Sequence, residues 1–158
     1  MQPVRYRILI VANDPEIGLS LHHFFHDHGY DVLTTSRGRN ALDICRHERP
    51  HLVLLDTVLP DLSGYEVCRR LRDDPRTSHL LTILILQADE RDDELHATIH
   101  ELAHDYVIKP FDVEELRLRV QGALTRARYT SRNGPKPTST QHLVGQQMRN
   151  TIRTGENA

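Results

Sequence analysis

Two charged side chains carry the first chemical hint in this sequence. Asp56 stands directly behind the apolar run His51-Leu52-Val53-Leu54-Leu55, and Lys109 directly behind Tyr106-Val107-Ile108. If both runs are strands of one parallel sheet, the carboxylate and the ammonium converge at one rim. That rim, beyond the carboxyl ends of the strands, is where such sheets bind ligands. Each residue also has a plainer reading, Asp56 as a solvated loop acid and Lys109 as a surface lysine. Against this, Asp56 precedes a loop bracketed by Pro60 and Gly64, and Lys109 is one of only two lysines among 20 basic residues. The Pro110 that follows Lys109 suits a rigid turn.

Other reactive residue types lead nowhere as specific. His22 and His26, and His96, His100 and His104, recur at i,i+4 spacing, which can set two imidazoles on one helix face for a metal. No cysteine or acid completes a ligand set, so solvated helix faces are the reading. Cys45 and Cys68 lack metal-type spacing and fall on apolar helical positions, which suits buried free thiols. No Gly-rich phosphate loop follows the first apolar run and no nucleophile–base pair is evident, which sets aside an enzyme or a nucleotide-binding protein.

The elements that must position Asp56 and Lys109 alternate in kind. Arg7–Val11, Asp31–Thr34, His51–Leu55, Ile83–Leu86 and Tyr106–Ile108 read as strands. Between them lie five helical patterns. Asp14-Pro15-Glu16 opens the first as N-cap, first-turn proline and an acid at the positive dipole end, and Gly29 closes it. Asp14 therefore reads as a cap and not as a pocket ligand. Ala41, Leu42 and Cys45 mark the second helix, Tyr65 to Arg72 the third, and Glu90 to Glu101 the fourth. Asp112 caps the fifth, with Leu116, Val120 and Leu124 on one face. Such alternation argues for a parallel sheet covered on both faces.

Length and charge bound the rest. The 158 residues, 38% of them apolar, suit one domain with a short appendage. No apolar run approaches the roughly 20 residues that span a bilayer, and Met1 to Arg7 leads into no signal-type apolar core. The expectation is a cytoplasmic protein without a membrane partner. Residues 1–125 hold 14 basic and 21 acidic side chains, a net −7, so the body is no obvious nucleic-acid binder. Residues 126–158 hold 6 basic and 1 acidic, a net +5. We expect a domain over residues 1–127, then a flexible basic linker or tail over 128–158, rich in Ser, Thr, Pro and Gly between Tyr129 and His142. Leu143, Met148 and Ile152 allow at most one weak amphipathic helix there.

Three segments resemble the signature segments of the response-regulator receiver family of two-component signalling. They are Ile8-Leu9-Ile10-Val11-Ala12-Asn13-Asp14-Pro15, Leu54-Leu55-Asp56-Thr57-Val58-Leu59-Pro60-Asp61-Leu62-Ser63-Gly64 and Asp105-Tyr106-Val107-Ile108-Lys109-Pro110-Phe111. The resemblance covers about residues 5–127 in the family's order and spacing. It implies an α/β fold, a flavodoxin-like doubly wound five-stranded parallel sheet of order 2-1-3-4-5 with five helices. It implies no enzyme but a signal relay. Asp56 accepts a phosphoryl group from a histidine kinase or phosphotransfer protein, and the signal passes to a downstream protein output. Lys109 binds a phosphoryl oxygen, and Gln87 occupies the family's Ser/Thr position. The metal set implied is Mg²⁺ on Asp56, Asn13 and the Val58 carbonyl. Tyr106 matches the family's aromatic switch. Asp105, Arg119 and Glu115 match an interface of the fourth helix, fifth strand and fifth helix, although the usual basic partner of Glu115 is here Leu95.

The departures matter as much. Ala12 and Asn13 replace the acid pair that holds the cation, so Mg²⁺ is expected to be weak or absent. Gln87 is longer than the small hydroxyl it replaces. Two functions stay open, a receiver still phosphorylated at Asp56 and a phosphorylation-independent pseudo-receiver binding module. A weak homodimer through the interface above is expected, and no direct nucleic-acid contact.

Overall fold

The computed structural model describes residues 5–90 and 92–133. The described residues up to Leu124 form one compact unit. The strands are β1 (Arg7–Val11), β2 (Asp31–Thr35), β3 (Leu52–Asp56), β4 (Leu81–Leu86) and β5 (Asp105–Ile108). The helices are α1 (Pro15–Asp27), α2 (Gly38–Glu48), α3 (Gly64–Asp73), α4 (Asp93–Leu102) and α5 (Val113–Asn133). All strand pairs are parallel, in the order β2-β1-β3-β4-β5. This is the doubly wound fold that the sequence implied.

The central strands are apolar throughout because helices cover both faces. Ile8, Ile10, Leu52, Leu54, Ile83 and Ile85 pack with Leu21 and Phe25 of α1 and with Leu116, Val120 and Ala123 of α5. Leu9, Val11, Val53, Leu55, Leu84 and Leu86 pack with α2, α3 and α4 through Leu42, Val67, Leu71 and Ile99. Cys45 and Cys68 are free and buried in this second core, and burial pushes both thiols up to about 12. Among the described residues no helix is long and apolar enough to cross a membrane.

Local chemistry explains the helix starts. The carboxylates of Asp14 and Asp112 and the hydroxyl of Ser63 accept the backbone N–H two or three residues on. The fourth helix differs from the sequence reading. It starts at Asp93 and is capped by Asp92, which accepts from Glu94 N at 2.8 Å, so Glu90 lies in the loop before it. The second helix has Arg37 at its N-cap, with no side-chain oxygen to offer. Asp61 supplies the cap from the loop after β3, accepting from Gly38 N at 2.8 Å and Arg39 N at 3.0 Å. Those backbone bonds, that of Arg39 foremost, hold the Asp61 carboxyl below its usual range.

The fifth helix also runs on to Asn133, past residue 128, at which the linker or tail was expected to begin. Residues 125–133 contain neither Gly nor Pro, and the first breakers are Gly134 and Pro135. The rest of the expected tail, Leu143, Met148 and Ile152 included, lies outside the described residues.

Candidate functional site

Pleat parity builds the site. Side chains alternate faces along a strand, so residues two beyond Leu54, Ile85 and Val107 continue the α1–α5 side of the sheet. These are Asp56, Gln87 and Lys109, and the structure brings all three together. Lys109 Nζ donates to Asp56 Oδ2 at 3.1 Å, and the Gln87 side-chain amide donates to Asp56 Oδ1 at 2.9 Å. Two backbone amides point inward as well, Asn13 N to Oδ2 and Val58 N to Oδ1, each at 3.4 Å. Asp56 is only 2% exposed. A carboxylate that deep is tolerated because a cation and several donors replace its water. The Lys109-Pro110 peptide bond is cis.

The remaining site residues fall around this centre. Ala12 is buried and presents a methyl group. Asn13 and Val58 reach Asp56 through their backbone amides, and the Val58 side chain is exposed. Tyr106 is half-buried against α4, its hydroxyl 3.3 Å from Nδ1 of His96, with the two ring centroids 5.0 Å apart. Arg119 Nη1 bonds both oxygens of Asp105 at 3.0 Å, and Nη2 reaches Glu115 at 3.0 Å. Burial works to lower the Arg119 pKa, but these carboxylates outweigh it and raise it. The pair thus forms within one chain. Leu95 packs against the α2–α4 core.

The histidines divide. His22 and His26 stack at 6.2 Å on α1, with His26 exposed. His96, His100 and His104 are not on a solvated face as expected. All three are half-buried, His96 and His100 against Tyr106, while His104 Nδ1 accepts from Thr82 N at 3.2 Å. The helix turns the side of His96 and His100 inward because Ile99, beside them, belongs to the core, while His104 lies past the end of α4. Among the described residues no group of three or more metal-binding side chains comes together.

Glu90 is the residue that sequence reasoning missed. Its Oε2 accepts from the Thr57 hydroxyl at 2.6 Å and from Gln87 N at 2.7 Å, and its Oε1 accepts from the Tyr65 hydroxyl at 2.6 Å. Glu90 N donates back to Gln87 O at 3.0 Å. The available signal was the three-residue spacing of Gln87 and Glu90, which permits this reciprocal turn. Burial alone would raise the Glu90 pKa, but the donors from Thr57, Tyr65 and Gln87, with Lys109 nearby, bring it below the ordinary 4.5. Its contribution to stability is therefore present above that value and lost as pH falls through the lower folded value. Burial first and Glu90 second push the Tyr65 phenol upward.

Comparison with known proteins identifies the family and the fold. The response regulator receiver domain family matches residues 8–121. Response regulator MprA of Mycolicibacterium vanbaalenii is 41% identical over 120 residues, 76% of this chain and 51% of the relative. The chain thus spans about half the length of the curated relatives it matches. A CheY-like receiver domain protein from Methanospirillum hungatei superposes with a TM-score of 0.71 at 23% identity, over 78% of this chain and 96% of that one. The receiver domain of sensor histidine kinase PA1611 from Pseudomonas aeruginosa superposes at 0.67 with 24% identity, over 75% and 97%, and has a magnesium ion coordinated in its active-site cleft. This chain belongs to the response regulator receiver domain family of two-component signalling.

The residues around Asp56 in this chain fit such an ion poorly. Among the described residues Asp56 is the one carboxylate that bonds the side chains of both Lys109 and Gln87, and both its oxygens are already engaged. Ala12 has no donor atom, and the contact of Asn13 with the site is a backbone N–H, which repels a cation.

Proposed function

We propose that Asp56 accepts a phosphoryl group from a histidine kinase or phosphotransfer protein in the cytoplasm, and that the domain relays the signal by protein contact. The observation that carries this is the Lys109–Asp56 contact at 3.1 Å in a buried pocket at the strand ends. In the transfer, an Asp56 oxygen attacks phosphorus and forms a P–O bond. The P–N bond to the donor imidazole breaks, and the imidazole leaves with the electron pair and takes up a proton. Lys109 is placed to neutralise a phosphoryl oxygen. The Gln87 amide must release Oδ1 or turn to the incoming oxygens. Mg²⁺ binds weakly, for want of the acid pair.

Treatment with a small phosphodonor such as acetyl phosphate, with and without Mg²⁺, is expected to label Asp56, as read by mass spectrometry. Asp56→Asn is expected to take no label and to keep its fold in a thermal melt. Label on another residue refutes the assignment. A second reading has its own support. Gln87 and Lys109 together satisfy Asp56 without any phosphoryl group, as a phosphorylation-independent binding module would require. Absence of label under every condition favours that reading.

For the partner surface we propose a weak homodimer through α4, β5 and α5. Arg119 is held against Asp105 and Glu115 beside Leu118, which is exposed, so a charged rim adjoins an apolar spot. Ion pairs at such a surface are worth about 0–1 kcal/mol and set geometry more than affinity. Sedimentation over a concentration series should show weak self-association that Arg119→Glu abolishes. A wild type that stays monomeric throughout, or a variant that associates equally well, refutes this face.

A further inference from the structure

Thr57 follows Asp56 in the chain and has the opposite pleat parity, so it faces the α3–α4 side of the sheet. There its buried hydroxyl meets Glu90, 33 residues on. The same carboxylate takes the Tyr65 hydroxyl from the first turn of α3 and the backbone N–H of Gln87 from the end of β4. One side chain therefore ties together the loop after β4, the end of β3 and the start of α3. Gln87 is the residue whose side chain lies on Asp56 Oδ1. Its backbone is pinned from the other face of the sheet, in both directions, through Gln87 N to Glu90 Oε2 and Glu90 N to Gln87 O.

We propose that Glu90 is a positioning residue, a latch that fixes the β4–α4 loop and thereby holds the Gln87 amide on Asp56. With the latch closed, Asp56 Oδ1 is covered by a donor and is a poor nucleophile. With it open, Gln87 is free to leave and Oδ1 is accessible to a phosphodonor. This second step rests on the reading of Asp56 as phosphoacceptor; the first does not.

A latch and a simple charge effect predict different variants. Glu90→Ala removes all three acceptor contacts. Glu90→Gln removes the charge but can keep the geometry. Its carbonyl oxygen can accept from Thr57 and Gln87 N, and its amide can donate to the Tyr65 oxygen once that hydroxyl turns. Thr57→Val and Tyr65→Phe each remove one donor and leave the charge in place. The primary readout is amide hydrogen exchange at Gln87 N–H by NMR on the full chain, with the side-chain amide resonances of Gln87 as a second signature. Loss of a charge-assisted hydrogen bond should speed exchange about tenfold or more in Glu90→Ala, less in Thr57→Val and Tyr65→Phe, and within about threefold of wild type in Glu90→Gln. Labelling of Asp56 by acetyl phosphate should accelerate in the same order. Unchanged Gln87 exchange in Glu90→Ala overturns the latch, as does Glu90→Gln matching Glu90→Ala in exchange and in labelling. If no variant is labelled but exchange follows the expected order, the latch stands and the phosphoacceptor reading fails. A thermal melt of each variant checks the fold, and Tyr65→Phe, which removes a single hydroxyl, serves should Glu90→Ala or Thr57→Val prove unstable.

Discussion

Ala12→Asp with Asn13→Asp should make the pocket bind Mg²⁺ on the order of 100-fold more tightly than wild type does. A unit charge pair at 4 Å is worth about 4 kcal/mol at an effective dielectric of about 20, and solvent exposure cuts this substantially. Two added carboxylates can still supply about 2.7 kcal/mol, which corresponds to that factor. The same change has an opposite effect without the ion. Position 12 is buried, and an Asp there adds a desolvated charge close to Asp56, with Lys109 already committed. The metal-free double variant should therefore melt lower than wild type and recover as Mg²⁺ is added, because a ligand that binds only the folded state stabilises it. Wild type should shift little over the same titration. Equal responses to Mg²⁺ in the two proteins would show that the lost acid pair does not limit binding.

Gly64→Ala should be among the most damaging single substitutions in the domain. Gly64 opens α3, and its amide donates to Thr57 O at 2.8 Å, closing the loop that follows Asp56. A Cβ there would run into the Asp56 carbonyl oxygen and lie 2.8 Å from the Thr57 Cα. These are backbone atoms of a buried central strand, so nothing nearby can step aside. We expect a loss of about 3 kcal/mol or more and a melting temperature lower by roughly 10 °C. Gly29→Ala is the contrast. That glycine has φ +92° but open space around its Cβ, so only the backbone conformation is penalised, by about 1 kcal/mol. A calorimetric comparison decides. Similar losses in both variants would mean that close approach to Asp56 is not what position 64 requires.

The legible part of this protein is the part written in short-range pattern. Continuous apolar runs gave β1, β3 and β4, and side-chain oxygens two or three residues ahead of a helical pattern gave the starts of α1 and α5. The convergence of Asp56 and Lys109 followed from strand ends alone, and Gln87 joined them by family position. What stayed hidden depends on contacts across the chain. The cap of α2 comes from Asp61, 22 and 23 residues away from the amides it holds. Glu90 passed for an ordinary first-turn acid because Asp92 and Asp93 beside it offer the same chemistry to the helix. His96 and His100 passed for surface residues because i,i+4 spacing does not tell which face meets Tyr106. The reach of α5 past residue 128 was obscured by polar composition, which is compatible with a helix until Gly134 and Pro135.

The adjacency of Asp56 and Thr57 makes the end of β3 a reading frame. One residue serves the pocket, the next serves Glu90, and a single peptide unit separates the two faces of the sheet. Substitutions in the strand can be absorbed one at a time by the cores on either side. A one-residue change of length cannot, because a deletion would send the Thr57 hydroxyl to Lys109 and an insertion would send the Asp56 carboxylate to Glu90. In either case Lys109 is left without its anion, and after the insertion two acids face each other on the α3–α4 side. In β3 the count of residues is thus a stricter constraint than their identity, and change there is confined to exchange of side chains at fixed length.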